Sequence, residues 1–422
     1  MNKYNIWLLV VACSFFTDKL YAQKDPTISE RVTGNNVITT AVPFLIVSPD
    51  ARSGSMGDIG VSTSPDPYSQ RWNAAKYPFL DKKATVSLTY SPWLLNLVAD
   101  MSLAYLTGAY KITDADVISA SLTYFSMGSV NFRQTAQDPE VPYYPNEFAL
   151  DAAYSRKLTE NFALAVTGRF IYSNLTLGQN VGGIETKAAL AGAVDIGLFY
   201  TKDITLKNNM NSRVNFGFAL TNIGSKMSYT QNATSAEKDF IPTTLRAGVT
   251  YGVDLDDYNS VSLSFEFNKL LVPTPPDYLN LRPDSTPYGK DPNVASITGI
   301  IQSFYDAPGT TVKDPTKYGT PGAVFIEEMQ EFQWSIGAEY WYNKLLAIRA
   351  GFFHESNHKG GRKYLTLGAG LRYNIFGIDL SYLVPTAKSV SNNSNPLKNT
   401  LRISILFNFN AQNARNTSRL VK

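Results

Sequence analysis

The feature that most constrains the fold is an alternation of apolar and polar residues that recurs along most of the chain. The segment Ala84–Ser91 is typical, with Ala, Val, Leu and Tyr on one face of a strand and Thr and Ser on the other. Fourteen such segments begin near residues 84, 100, 116, 146, 161, 187, 211, 243, 259, 330, 344, 362, 376 and 398. An even number of strands is what bacterial single-chain barrels require.

The connections between these segments separate a membrane barrel from a soluble β-sandwich. Alternation alone fits either fold. Every second connection is a tight turn, apart from one of medium length at 201–211. Outer-membrane barrels have short periplasmic turns and long external loops. The sequence therefore predicts an all-β fold, a transmembrane 14-stranded antiparallel outer-membrane β-barrel at 83–409. In this prediction the protein is a multi-pass protein of the cell outer membrane, surrounded by its lipid, with both termini in the periplasm.

The N-terminus has the pattern of a signal peptide. Lys3 precedes an apolar run from Ile6 to Phe16, and Leu-Tyr-Ala at 20–22 is a cleavage site before Gln23, which predicts a signal peptide at 1–22. A transmembrane anchor needs about 20 apolar residues, more than this run contains. A lipoprotein signal ending at Cys13 is the second alternative. The rest of the sequence has no run of 18 apolar residues, which excludes a helical membrane protein.

Residues 23–82 interrupt the pattern before the barrel begins. Between Asn36 and Tyr77, Gly, Pro, Ser and Asp are dense, and neither strand nor helix periodicity appears. We interpret 23–82 as a plug on the periplasmic side of the barrel. Its predicted plug and lumen residues are Pro43, Asp50, Arg52, Gly54, Gly57, Asp58, Gly60 and Asn73. Charges of both signs on the polar strand faces are predicted to pair with one another and with this plug, because a selective pore favours one sign.

A connection from 269 to 330 is the longest in the chain and carries nine of its 22 prolines. Apolar residues at helical spacing near Ile297 and Val324 predict amphipathic turns that dock on the barrel rim. The connection either packs there and covers the barrel mouth or binds a partner. For partner binding, the predicted residues are Ile300, Phe304, Tyr305 and Phe325. Residues 410–422 are polar and predict a periplasmic tail.

No motif indicates an enzyme. His354–His358 matches H-E-x-x-H, but zinc binding needs these residues on a helix, and here they follow a strand and precede Gly360 and Gly361 in a hairpin loop. No catalytic, cofactor-binding or metal-binding residues are predicted, and no cofactor. A net charge of +3 gives no reason to expect nucleic acid as a partner.

Five stretches resemble the PorV (LptO) family of type IX secretion system proteins, within the FadL-like outer-membrane barrels. They are Val37–Leu45, Ser48–Val61, Trp72–Tyr77, Ser91–Leu94 and Arg362–Leu371. The broader FadL-like pattern has an Asn-Pro-Ala motif, in which Ala74 of this chain replaces the proline.

The resemblance implies a non-enzymatic component that binds secreted cargo by its C-terminal signal domain. It also implies transfer of the cargo from an SprA-like translocon to an attachment complex with a PorU-like sortase. A FadL-like channel for a hydrophobic small molecule is the alternative. A lipid A-modifying enzyme would require a catalytic cluster that the sequence does not show.

Overall fold

The alternating segments form one closed antiparallel barrel of fourteen strands. The computed structural model describes residues 36–94, 100–133, 140–175, 178, 180, 181, 184–206, 210–230, 238–386, 397 and 400–410. The first and last strands pair with each other from Ala84 and Phe409 to Tyr90 and Ile403, which closes the barrel. The predicted signal peptide, the start of the predicted plug before residue 36, and the tail from 411 lie outside the described residues.

In chain order the barrel strands are β1 (Ala84–Pro92), β2 (Ser102–Lys111), β3 (Asp116–Ser126), β4 (Asn146–Lys157), β5 (Phe162–Asn174), β6 (Ala189–Thr205), β7 (Asn211–Gly224), β8 (Thr244–Asp254), β9 (Asn259–Leu270), β10 (Phe332–Tyr342), β11 (Leu346–His354), β12 (Lys363–Tyr373), β13 (Phe376–Pro385) and β14 (Thr400–Phe409). Each begins within two residues of its predicted start, so the prediction of fourteen antiparallel strands is confirmed.

The connections are sorted by length between the two ends of the barrel. At one end they contain two to five residues, from 374–375 to 206–210, and we call this the turn end. At the other, the loop end, they range from eight residues (355–362) to 61 (271–331). The predicted medium connection is therefore a short one. We call 271–331 the long loop. β1 begins and β14 ends at the turn end.

The barrel wall is apolar outside and polar inside. On β9, Leu263 and Phe265 are 58% and 43% exposed, whereas Ser264 and Glu266 are buried. A barrel in water would favour the opposite arrangement, and hydrocarbon favours this one. In the described part of the chain, no helix has the length and apolarity needed to cross a bilayer.

Short elements lie outside the wall strands. In residues 36–82, which we call the N-terminal segment, they are α1 (Ala51–Gly54), α2 (Ser69–Trp72) and 3-10 turns at Pro43–Ile46 and Ala74–Phe79. In the long loop they are α3 (Ser296–Gln302), α4 (Pro321–Gln330), a 3-10 turn at Pro315–Lys317 and a hairpin of Asp277–Leu281 with Pro287–Tyr288. Two small hairpins, Val130–Phe132 with Val141–Tyr143 and Asn180–Val181 with Ile184–Glu185, extend other loops. The prediction of helical turns in the long loop is confirmed.

Candidate functional site

The N-terminal segment runs through the barrel interior from the loop end to the turn end. At its start, the Asn36 N–H donates to the His358 carbonyl and the Ala41 N–H to the Phe240 carbonyl, each at 2.9 Å. Both acceptors belong to loop-end connections. The last residues of the segment lead directly into β1 at the turn end. The segment therefore links the two ends of the lumen.

Two apolar clusters hold the segment at these two ends. Near the loop end, Phe44 stacks on Phe125 with ring centroids 6.2 Å apart. Near the turn end, Tyr77 is fully buried. The loop-end cluster contains Ala41, Val42, Phe44, Leu45 and wall residues that include Leu103, Phe125, Ala149 and Ile171. The turn-end cluster contains Ala74, Ala75, Tyr77 and wall residues that include Ala109, Val117, Ala153 and Ala163.

The sequence predicts a plug on the periplasmic side of the barrel, and in the structure the segment also reaches the loop end. The apolar run that begins at Ala41 needs apolar partners, and the inward faces of β2 to β5 supply them near the loop end. Strand periodicity shows which residues of a strand face inward but not which depth of the lumen suits a particular segment. Pro43, predicted as a plug residue, is exposed at the start of its 3-10 turn.

Arg52 is the polar centre of the segment. Its guanidinium donates to both Glu339 carboxylate oxygens, at 3.0 and 2.7 Å, and to Asp66 Oδ2 at 2.7 Å. It also donates to the Ser64 carbonyl at 3.0 Å. Glu339 in turn accepts from Arg349 Nε at 2.6 Å. These charges are almost fully buried and every one is paired, as buried charges must be.

Most of the other predicted plug residues contact the wall or brace the segment. Asp50 caps α1 and accepts from Trp72 Nε1 at 2.6 Å. Asp58 accepts from the Tyr364 hydroxyl at 2.6 Å. The Gly60 N–H donates to Glu266 at 2.9 Å, and Asn73 Nδ2 donates to the Leu198 carbonyl at 2.8 Å.

The wall approaches the segment so closely that only glycine fits at several inward positions. A Cβ on Gly351 would lie 2.1 Å from the Met56 carbonyl carbon. A Cβ on Gly217 would lie 2.0 Å from the Val61 carbonyl oxygen. From the segment side, Gly57 has a φ of +73° and packs against the backbone of Phe352. Backbone therefore meets backbone on both sides of the lumen.

Several charged wall residues also pair with one another, as predicted. Arg169 joins Asp151 and Asp195, Arg246 joins Glu266, and Asp379 joins both Arg349 and Arg372. A cavity of about 680 Å³ remains at the turn end, and its lining includes basic and acidic groups in comparable numbers. Neither feature gives a lumen surface with one dominant sign of charge.

The two helices of the long loop expose apolar side chains to solvent and bury polar side chains against the protein. On α3, Ile297 and Ile301 are 69% and 59% exposed, whereas Gln302 is buried. On α4, Phe325 is 62% exposed, whereas Glu327 and Glu328 are buried. The prediction that the apolar face of these turns docks on the barrel rim is therefore wrong: the apolar face points to solvent. Tyr278 and Leu279 of the hairpin, at 68% and 75%, add to this apolar surface.

A buried ionic network holds the long loop in this orientation. Lys269 at the end of β9 bonds to Glu328 and Glu331 at 3.1 and 2.5 Å. Lys359 from connection 355–362 bonds to Glu327 and Glu331 at 2.8 and 2.9 Å. The network joins α4 to two other loop-end elements. The carboxylates, not the apolar side chains, anchor the helix, and sequence periodicity cannot show this.

Asp306 is a buried carboxyl group of the long loop. Burial, followed by the Glu328 and Glu331 carboxylates, raises the pKa of Asp306 to about 7. Its Oδ2 accepts from the Thr274 N–H at 3.2 Å and from Gln302 at 3.3 Å, and its other oxygen has no partner among the described residues. Burial also raises the pKa of Glu328. The folded loop therefore favours a protonated Asp306.

We expect the folded long loop to lose stability as pH rises from about 5.5 to about 7, and to change little above that. The unfolded loop already has Asp306 ionised in this range, while the folded loop must release its proton. Short protease pulses on the purified protein, normalised to an unstructured peptide at each pH, should cut the loop faster at pH 8 than at pH 5.5. D306N should remove most of this difference. An equal difference in wild type and D306N would contradict the assignment.

The predicted partner-binding residues lie on or beside the exposed surface. Phe304, Tyr305 and Phe325 are 46%, 49% and 62% exposed, whereas Ile300 is partly buried. The sequence missed Leu279, Ile297 and Ile301 as members of this surface. A helical stripe usually faces a core, and for that reason the periodicity suggested burial.

The H-E-x-x-H stretch does not form an α-helix: it joins the end of β11 to a 3-10 turn at Asn357–Lys359. His354 ends β11 and stacks on Trp334, with ring centroids 4.9 Å apart. Glu355 is buried and pairs with Arg362 at 2.8 Å. Within the described ranges, no group of three or more His, Cys, Asp or Glu side chains is placed to hold a metal ion.

Comparison with known proteins gives one family match. Residues 30–277, more than half of the chain, match the family model described as type IX secretion system protein PorV. A search of curated protein sequences gives no significant match.

Solved structures are also similar, at low sequence identity. The Pseudomonas putida toluene transporter TodX is 12% identical, with 87% of this chain and 99% of that chain covered and a TM-score of 0.46. The Ralstonia pickettii toluene transporter TbuX is 12% identical, with 86% and 98% covered and a TM-score of 0.40. A Pseudomonas aeruginosa FadL homologue is 13% identical, with 89% and 100% covered and a TM-score of 0.38.

Proposed function

Because this chain belongs to the family of the type IX secretion system protein PorV, we propose that it binds secreted cargo through the cargo's C-terminal signal domain and transfers the cargo to an acceptor. It is an outer-membrane component of that secretion system. The donor in this proposal is an SprA-like translocon. The acceptor is the cell-surface attachment complex with its PorU-like sortase. The role is one of binding and transfer, without catalysis.

The reversed polarity of the loop helices is the observation that carries the proposal. Exposed apolar groups on a rigid surface are typical of protein-binding sites. Here Ile297, Ile301 and Phe325 are exposed, while buried carboxylates hold α4, the helix of Phe325, in place. Since cargo becomes attached at the cell surface, we place the loop end outside the cell and the turn end in the periplasm, as the loop lengths favour.

Replacing the exposed aromatic groups should weaken cargo binding. We expect the triple variant F304A/Y305A/F325A to bind a purified cargo C-terminal domain at least about tenfold more weakly than wild type, because central aromatic residues contribute most to protein interfaces. Biolayer interferometry on the purified protein in detergent measures this affinity.

A matched control removes exposed apolar groups from the other end of the barrel. Leu255 and Tyr258 lie in a turn-end connection and are 50% and 58% exposed. L255A/Y258A should leave the affinity unchanged. Equal cargo affinity in the loop-end variant and wild type would show that this surface does not bind cargo. Absence of cargo binding by wild type would contradict the proposed function itself.

The alternative, a channel for a hydrophobic small molecule, would need a path through the lumen. The N-terminal segment occupies that lumen and meets the wall backbone to backbone at Gly217 and Gly351. We propose that the segment acts as a fixed plug, with Asp50, Arg52, Gly54, Gly57, Asp58, Gly60 and Asn73 among the residues that fix it. This supports cargo binding at the loop end over transport through the barrel.

A further inference from the structure

The first described residues of the chain, Asn36–Thr40, lie at the loop end, and the backbone groups of Val37–Thr40 have no hydrogen-bond partner among the described residues. Asn36 and Ala41 are tied to loop-end carbonyls through their N–H groups. Between them, Val37 to Thr40 form no hydrogen bond with any described residue. The stretch contains no helix, turn or bend, so the chain runs straight through it.

This stretch has the sequence and exposure of a β-strand edge. Val37, Ile38, Thr39 and Thr40 are all β-branched, the class of residue that most favours strands. Exposure alternates along it: Val37 and Thr39 are exposed, and Ile38 and Thr40 are partly buried. One side of the stretch therefore rests on the protein and the other faces solvent.

Proteins usually protect such an edge with charged residues, proline or a covering element. None of residues 37–42 is charged or a proline, and the first proline, Pro43, comes after the stretch. The hydrogen bonds of Asn36 and Ala41 hold both ends of the edge in place, so less conformational entropy is lost when a partner binds. Among the described residues nothing pairs with this edge, and a pre-positioned edge of this kind is suited to pair with an added strand.

We infer that Val37–Thr40 binds its partner by β-strand addition, pairing its backbone with an extended strand of the secreted cargo's C-terminal domain. The inference rests on the proposed function for the identity of the partner. It deepens that function, because it assigns the backbone of the N-terminal segment to the cargo site, beside the apolar surface of the long loop. Main-chain pairing would bind cargoes of different sequence, and the apolar surface would add affinity.

Strand addition predicts that substitutions at neighbouring positions affect cargo affinity differently, depending on which edge of the strand each N–H group faces. A side-chain contact predicts no such alternation. Adjacent N–H groups of an extended strand point to opposite edges, so Thr39 and Thr40 cannot both donate to one added strand. Proline removes the N–H group at either position. We expect one of T39P and T40P to weaken binding of the purified cargo domain at least about tenfold and the other to change it less than about threefold. T39A and T40A, which keep the N–H groups, should both bind like wild type.

Hydrogen exchange provides a second measurement on the unmodified protein. The amides of residues 37–40 should exchange rapidly in the free protein and become protected when the cargo domain binds. Protection already present in the free protein would show that another part of the chain occupies the edge and would overturn the inference. Equal affinities for both proline variants, whether normal or reduced, would also overturn it.

These outcomes separate the inference from the proposed function. If wild type and both proline variants bind equally well, the cargo function stands and strand addition does not. If wild type does not bind the cargo domain, both are wrong.

Discussion

Replacing Arg52 by alanine is expected to destabilise the barrel by about 3 kcal/mol, because it leaves buried carboxylates without their main partner. Glu339 would keep only Arg349, and the nearest remaining cation to Asp66 would be Lys76, 4.0 Å away. Chemical unfolding of the detergent-solubilised protein, followed by tryptophan fluorescence, measures the change in free energy.

A surface ion pair provides the control for this variant. Arg213 and Asp203 bond at 2.5 Å, but their side chains are 54% and 74% exposed. Exposed pairs contribute little, so R213A should change the free energy of unfolding by less than about 1 kcal/mol. A similar small change for both variants would show that Arg52 does not organise the lumen.

Adding one methyl group at Gly351 is expected to reduce the stability of the barrel by an amount similar to that expected for R52A. In G351A the new Cβ would overlap the backbone of Met56 and Gly57, at 2.1 and 2.3 Å, and backbone cannot rotate aside as a side chain can. Overpacking of this kind costs about 1–3 kcal/mol, and we expect the upper part of that range. Chemical unfolding again measures the change in free energy. Heat-modifiable mobility in gel electrophoresis shows whether the barrel has closed.

Gly168 offers a matched substitution on β5. A Cβ there would meet nothing within 4 Å, so G168A should have the stability of wild type. The pair also tests whether the plug is fixed. If the segment can move aside, G351A should fold with normal stability and increase ion conductance in planar bilayers. A destabilised protein without added conductance would support a fixed plug.

The barrel could be predicted from the sequence because the pattern that specifies each strand lies within a few neighbouring residues. A strand such as β9 shows its outward face through Leu263 and Phe265 and its inward face through Ser264 and Glu266, all within four residues. The ends of the strands follow from short turns and long loops. No contact between distant residues is needed to find fourteen strands.

The contents of the lumen depend on contacts between distant residues, which periodicity does not reveal. Gly57 and Phe352 are nearly 300 positions apart, and their close approach sets the conformation of the segment. A glycine suggests a turn or a close contact but does not name the neighbour. The sequence therefore indicated several residues of the segment that contact the wall, but not that the segment extends to the loop end.

The long loop shows a second limit of sequence periodicity. A stripe such as Ile297 and Ile301 has the same spacing whether it faces a core or a binding partner. The distinguishing signal was the pair Glu327 and Glu328, which lies within the apolar run of α4. Its burial requires cationic partners, and Lys269 and Lys359 come from other elements.

The position of the N-terminal segment has a consequence for biogenesis. The segment is covalently continuous with β1 and is surrounded by wall strands whose last member, β14, pairs with β1. Its charged groups and close backbone contacts make insertion into a finished barrel costly. We therefore expect the segment to be enclosed while the wall is still an open sheet, before the first and last strands pair.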